Sequence, residues 1–254
     1  YKSMINRIII VLYKILRKII IFFGVPLHFS SDGEDYILQK IFSKLKNGYY
    51  IDIGSHHPIL HSNTFLFYLN GWRGVCVDPL PNLINKYKIF RGEDTFIPAG
   101  FASKNSDKKL TFYHYANTSD NSTFNKERVI ELKNKFSRVP SEEIQVDLVN
   151  INDVMKSFSK INKASEIHLL NLDVEGFEEY ILESFFLNKN FPWVVCVEDL
   201  GFLADELDRS KIDSIMKKNG YKLGMKTFLS SVYIYPPIIS KLKSQYVKEW
   251  IYSK

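Results

Sequence analysis

The stretch YYIDIGSHHP (49–58) decides the fold. Tyr49–Ile53 is aromatic and β-branched, which favours an extended strand, and Gly54 stops it in a tight turn. Working outward, a helical stretch starts near Ser62-Asn63, a good N-cap pair, and GVCVD (74–78) follows as a second strand. TFIPA (95–99) reads as a weaker third strand, with Pro98 placing it at a sheet edge. IHLLNL (167–172) and WVVCV (193–197) are continuous apolar runs, as expected of parallel strands buried on both faces. Lys211–Asn219 reads as a helix, and Tyr221–Met225 with Ser231–Tyr235 as a closing hairpin. Repeated β-α-β order predicts an α/β fold: a doubly wound, mostly parallel seven-stranded sheet in the order 3-2-1-4-5-7-6. Residues 27–236 form this domain. The region 104–150 is an insert on its substrate side, with a strand candidate at Lys109–His114 and then a polar stretch rich in Asn, Ser and Thr.

The two cysteines test that order. Cys76 falls in the second strand and Cys196 in the fifth, three strand spacings or about 14 Å apart. That is too far for a disulfide, so both are expected buried and reduced, which suits a cytoplasmic setting.

Charge separates the body from the tails. Of the net +6, residues 1–26 carry +5 (Lys2, Arg7, Lys14, Arg17, Lys18, no acid) and residues 237–254 carry +3, which leaves −2 for the body. A nucleic-acid enzyme places its basic stripe on the domain itself, so nucleic acid is not an expected partner. In 4–26 the cations interrupt the apolar run, which is too short between them to span a bilayer. At helical spacing Arg7, Lys14 and Lys18 share one narrow strip, a pattern that suits a helix lying on an anionic membrane surface, here the inner face. A helix packed on its own domain, or on the mate of a homodimer, fits the same residues. In 237–254, Ile238, Leu242, Tyr246 and Trp250 recur every four residues as a second amphipathic helix. Closing the core is at least as natural a role for it as lipid contact.

In an open α/β sheet the ligand lies beyond the carboxyl ends of the strands, where the order reverses. Gly54 allows close approach of a ligand, but the other glycines of G-x-G-x-x-G are missing, which argues against a dinucleotide pyrophosphate. Asp78 lies 24 residues beyond Gly54, at a strand end where a carboxylate can accept two ribose hydroxyls. A glycine turn with a ribose acid and no phosphate cradle describes S-adenosylmethionine. After the fourth strand, Asp173 and Glu175 should face the cleft, whereas Glu178 and Glu179 open a helix where acids suit the dipole. Glu198 and Asp199 form a further acidic pair at the same edge.

The segments GEDYIL (33–38), YIDIGSHHP (50–58), SNTFLFYLNGWRGVCVDPLP (62–81), LDVEGFEEYIL (172–182) and VVCVED (194–199) together resemble the FkbM-like methyltransferases, S-adenosylmethionine-dependent enzymes of the Rossmann-like class. The resemblance covers most of residues 30–236. It departs before GED, where Ser31-Asp32 stand at a place many members fill with Gln, and in the insert. It implies that Asp52, Gly54, Ser55 and Asp78 contact the cofactor and that Ser103 sits near the adenine. It also implies that His56, His57, Asn63 and Thr64 line the methionine end or the acceptor side.

The expected reaction is methyl transfer to a hydroxyl, with Asp173, Glu175, His56 and His57 as candidate catalytic groups. Catalysis rests on alignment and on a base that takes the hydroxyl proton. Asp173, Glu198 and Asp199 also resemble a magnesium site of the catechol-type enzymes; the other reading is that these acids bond acceptor hydroxyls directly. The acceptor that the family implies is a sugar hydroxyl of a cell-surface polysaccharide or its lipid-linked precursor. The alternatives are a small-molecule O- or N-methyltransferase, or a non-catalytic membrane-recruited module.

Overall fold

A computed structural model describes residues 8, 11–13, 15, 16, 19, 20, 22, 27–101, 109–116, 122–174, 176–199, 210–244, 247 and 249. Seven strands form the main sheet: β1 (Tyr49–Ile53), β2 (Arg73–Asp78), β3 (Thr95–Pro98), β7 (Leu169–Leu172), β8 (Val194–Glu198), β9 (Lys222–Lys226) and β10 (Ser230–Ile234). Three others, β4 (Gly100–Phe101), β5 (Lys109–His114) and β6 (Glu142–Val149), form a small second sheet in the order β4-β6-β5. The main sheet runs β3-β2-β1-β7-β8-β10-β9, parallel except for the pairings of β10 with β8 and β9. The main sheet has the expected seven strands, in the expected order 3-2-1-4-5-7-6 when they are numbered within that sheet; what the expectation lacks is the second sheet, whose three strands bring the described total to ten and shift the chain-order labels. The polar insert contains β6 and a helix, and β6 (EEIQVDLV) lacks the apolar run that marks its neighbours in the main sheet.

Eight α-helices of given bounds accompany the strands: α1 (Glu34–Ile41), α2 (Phe65–Leu69), α3 (Leu83–Phe90), α4 (Lys126–Phe136), α5 (Ile151–Ile161), α6 (Glu178–Leu187), α7 (Lys211–Lys218) and α8 (Ile239–Leu242), besides helical residues among 8–22 and a 3-10 turn at Pro236–Ile238. Alternation along the strands sorts their side chains into two cores. Tyr50, Leu169, Val194 and Ile234 pack with Leu38 of α1 and Phe67 of α2 on one face. Ile51, Val75, Leu170 and Val195 pack with Phe158 of α5, Phe185 of α6 and Met216 of α7 on the other. Burial on both faces explains the continuous apolar runs of β7 and β8. Each such side chain contributes roughly 1.5–3 kcal/mol.

Cys76, Asp52, Asn171 and Cys196 form one row across β2, β1, β7 and β8. Both thiols are buried and unbridged, and burial pushes their pKa values well up. Two polar side chains therefore sit mid-row between two inert thiols, and their partners lead to the site.

The C-terminal segment closes the core. Ile238, Ile239, Leu242 and Val247 are buried, and the Ser244 hydroxyl donates to the Lys40 carbonyl at 3.2 Å. The described residues among 8–22 are helical, with the Tyr13 ring 5.7 Å from Phe29 and 6.4 Å from Phe65. Among the described residues no helix is long and apolar enough to cross a membrane.

Candidate functional site

A cavity of about 400 Å³ opens at the carboxyl ends of β1, β2, β7 and β8, where the strand order reverses. Gly54 leaves β1 with φ +80°, and its N–H and that of Ser55 both donate to the Val77 carbonyl, at 2.9 and 3.1 Å. The turn thus leans onto the end of β2. A Cβ on residue 54 would run into the backbone carbonyl of Asp173, so glycine is required there by conformation and by space. Gly54 and Asp78 line the same cavity wall.

Asp78 is only 5% exposed. Its Oδ2 accepts the His56 N–H at 2.8 Å, and its Oδ1 accepts the Leu80 N–H at 3.0 Å. Burial raises its pKa to about 6, against the lowering effect of those two N–H groups. Each oxygen keeps a second lone pair for a hydroxyl donor. His56 reaches this bond with φ +40°, an uncommon conformation for a side chain that is not glycine.

Beneath the turn lies a polar network. Asp52 accepts the Thr64 hydroxyl at 2.5 Å and the Asn171 amide at 2.9 Å, and Asn171 in turn accepts the Asn63 amide at 2.9 Å. Arg91, fully buried, donates to the Thr64 hydroxyl at 3.0 Å, to the Tyr50 hydroxyl at 2.8 Å and to Asp94 at 2.8 Å. Burial pushes the Asp52 carboxyl up, while the Arg91 charge pulls it back. Asp52 and Asn63 line the cavity; Thr64 is fully buried behind them, so it supports Asp52 instead of lining the methionine end as the resemblance implied.

Asp173 lines the same cavity, its backbone carbonyl against Gly54 and its residue exposed to the cleft. Desolvation by the surrounding walls, then the charges of Glu198, Glu178, Asp52 and Glu34, push its pKa well above the carboxylate range. Glu178 accepts the N–H groups of Val174 (2.9 Å) and Gly176 (3.0 Å), which makes it the brace of the loop that carries Asp173. Glu198 lines the cavity, but Asp199 accepts the hydroxyls of Ser210 (2.9 Å) and Ser231 (3.2 Å). The expected magnesium trio of Asp173, Glu198 and Asp199 is therefore not assembled, since Asp199 is committed elsewhere. Among the described residues no group of three or more His, Cys, Asp or Glu is placed to hold a metal.

Of the two adjacent histidines, His56 lines the cavity. His57 does not: its Nδ1 accepts the N–H groups of Ile59 and Leu60, both at 3.2 Å, and burial lowers its pKa to about 4. The catalytic reading of His57 is corrected to a brace of its own turn. Glu175 and Ser103 lie outside the described residues.

Three features of the site are not legible in the motifs. His61 lines the cavity, its Nδ1 paired with the Ser31 hydroxyl at 3.0 Å; it stands one residue before the SNT signal. Arg91 carries no local pattern. An aromatic wall of Phe112, Phe124 and Phe177 brings the insert onto the cavity, with Phe112 and Phe124 4.8 Å apart. The GED segment proves to be a tie: Glu34 accepts the hydroxyls of Thr227 and Ser230, and Asp32 accepts the N–H of Leu229, which lines the cavity.

A cavity of this size at the reversal of a parallel sheet, bordered by a glycine turn and several acids, defines a small-ligand α/β protein. The Methyltransferase FkbM domain family model matches residues 52–223, and the chain belongs to that family. It is a methyltransferase by family. No curated protein sequence matches the chain. Among solved structures, a TehB-like SAM-dependent methyltransferase from Corynebacterium glutamicum is similar at a TM-score of 0.39 and 10% identity, covering 91% of this chain and 100% of that one.

Proposed function

We propose that the cavity binds S-adenosylmethionine and that the protein methylates a hydroxyl of a carbohydrate, in a cell-surface polysaccharide or its lipid-linked precursor. The observation that carries the cofactor reading is that Gly54 and Asp78 line one cavity, together with the Ser55 hydroxyl. That hydroxyl is buried and has no hydrogen-bond partner among the described residues, a state that a polar ligand would relieve. Asp78 would hold the ribose hydroxyls, and the Gly54 turn would lie against the nucleoside. Bound there, the cofactor supplies an activated methyl group.

The protein's own part is positioning and proton removal. Asp173, with its raised pKa, is the favoured base for the acceptor hydroxyl, and Glu198 is a second acceptor for neighbouring hydroxyls. His56 and His61 offer further donors or acceptors at the same cavity. The aromatic wall of the insert supports a sugar ring as the acceptor, because its C–H face can pack on rings while its hydroxyls meet the acids. Asp173 and Glu198, both lining the cavity, suit direct acceptance of hydroxyl donors without a bridging cation.

Methyl transfer from labelled S-adenosylmethionine to a panel of mono- and oligosaccharides, lipid-linked glycans and amines tests the proposal. Label in a carbohydrate as a base-stable ether supports it. Label in amines alone assigns the small-molecule alternative, and no transfer to any acceptor favours a non-catalytic module.

A further inference from the structure

Ile8, Val11, Leu12, Ile15, Leu16, Ile19 and Phe22 are helical, and each is about half exposed or more, with Phe22 at 84%. Their spacing of three and four places them within an arc of about 140° on one helix face. Tyr13 and Ile20 lie on the opposite side of the same helix. Tyr13 packs on Phe29 and Phe65, and Ile20 is half-buried. The helix is thus pinned to the domain by one side and turns its apolar side outward. An outward stripe of seven large apolar side chains is more than scattered surface hydrophobics explain.

We infer that this face is a docking surface for an anionic lipid bilayer, with the helix lying in the headgroup plane. Charge selects that occupant. Residues 1–26 hold five cations and no acid, so the sequence that carries the stripe is strongly basic. A second copy would bring the same +5 against its mate, with no counter-charge in the segment. Anionic headgroups supply the missing negative charge, and acyl chains accept the stripe. The described C-terminal residues Ile238, Ile239, Leu242 and Val247 fill the core and form no part of this face. This inference does not rest on the methyltransferase reading, although a lipid-linked acceptor would be met at the same surface.

Co-sedimentation of the full chain with vesicles tests it, using phosphatidylcholine alone and phosphatidylcholine mixed equally with phosphatidylglycerol. The wild type should sediment with the anionic vesicles several-fold more than with the neutral ones, and less as salt rises. Leu12→Glu with Leu16→Glu should lower binding tenfold or more while leaving the thermal melt unchanged, since both side chains face outward. Lys14→Glu with Lys18→Glu should remove the anionic preference. The inference is overturned if the wild type ignores both vesicles, or if the Leu12/Leu16 variant sediments like the wild type. It is also overturned if light scattering finds a lipid-independent dimer that the Leu12/Leu16 variant dissolves.

Discussion

The backbone carbonyl of Asp173 occupies the space that a side chain on Gly54 would need. The turn after β1 and the loop after β7 therefore touch as bare backbone, side by side in the lining of the cavity.

Gly54→Ala should lose that contact. An alanine at φ +80° costs about 1–2 kcal/mol, and displacing the Asp173 loop adds roughly 1–3 kcal/mol. Urea unfolding should show a loss of about 2–4 kcal/mol, and cofactor affinity should fall with it. A variant of unchanged stability would mean that the two loops separate freely.

The Asp78 carboxyl, at about 6, places a titration in cofactor binding. Only the ionised form offers both oxygens as acceptors, so affinity should rise as pH climbs from about 5 to 7. Stability runs the other way. The folded pKa lies above that of the unfolded chain, so the contribution is full below about pH 4 and is lost as pH rises through 6. Calorimetric titration across this range, beside Asp78→Asn, which should flatten the binding profile, measures the first effect.

Arg91 is the cation of a closed polar network with Asp94, Tyr50 and Thr64, and it reaches Asp52 through Thr64. Arg91→Met should destabilise the fold by about 3–5 kcal/mol, because Asp94 and Asp52 would remain buried without their cation. Arg91→Lys should recover little of this, since a single nitrogen cannot stand at once where Nε, Nη1 and Nη2 make their separate bonds. Thermal melts of the two variants check it.

Asp173→Asn separates chemistry from binding. If the carboxylate takes the acceptor proton, kcat should fall by about 10²–10⁴ while cofactor affinity stays within a few-fold. Wild-type rate should rise with pH through the raised pKa of Asp173, and the variant should lack that limb. Because Asp199 is held by Ser210 and Ser231, exhaustive chelation should leave the wild-type rate intact.

Much of the frame is legible in the residues themselves. β1, β2, β7 and β8 are buried on both faces, so their apolar runs announce them, and Gly54 and Asp78 mark two strand ends by type alone. β6 escapes notice because glutamate and aspartate stand along it, and only Val146 of its side chains is buried. Glu198 and Asp199 look like one acidic pair, but consecutive residues leave a strand on opposite sides, and only the first reaches the cavity. His56 and His57 also divide: the first lines the cavity and gives its backbone N–H to Asp78, while the imidazole of the second accepts from its own turn. Arg91 is invisible in sequence because its partners stand at positions 50, 64 and 94, and only the fold brings them together.

Titration of the protein with S-adenosylhomocysteine, wild type against Asp78→Ala, tests the central claim most directly. Losing two charged acceptors should weaken binding about 100-fold or more, from a clear wild-type isotherm. Equal affinities, or no heat from the wild type, would contradict a nucleoside held between Gly54 and Asp78.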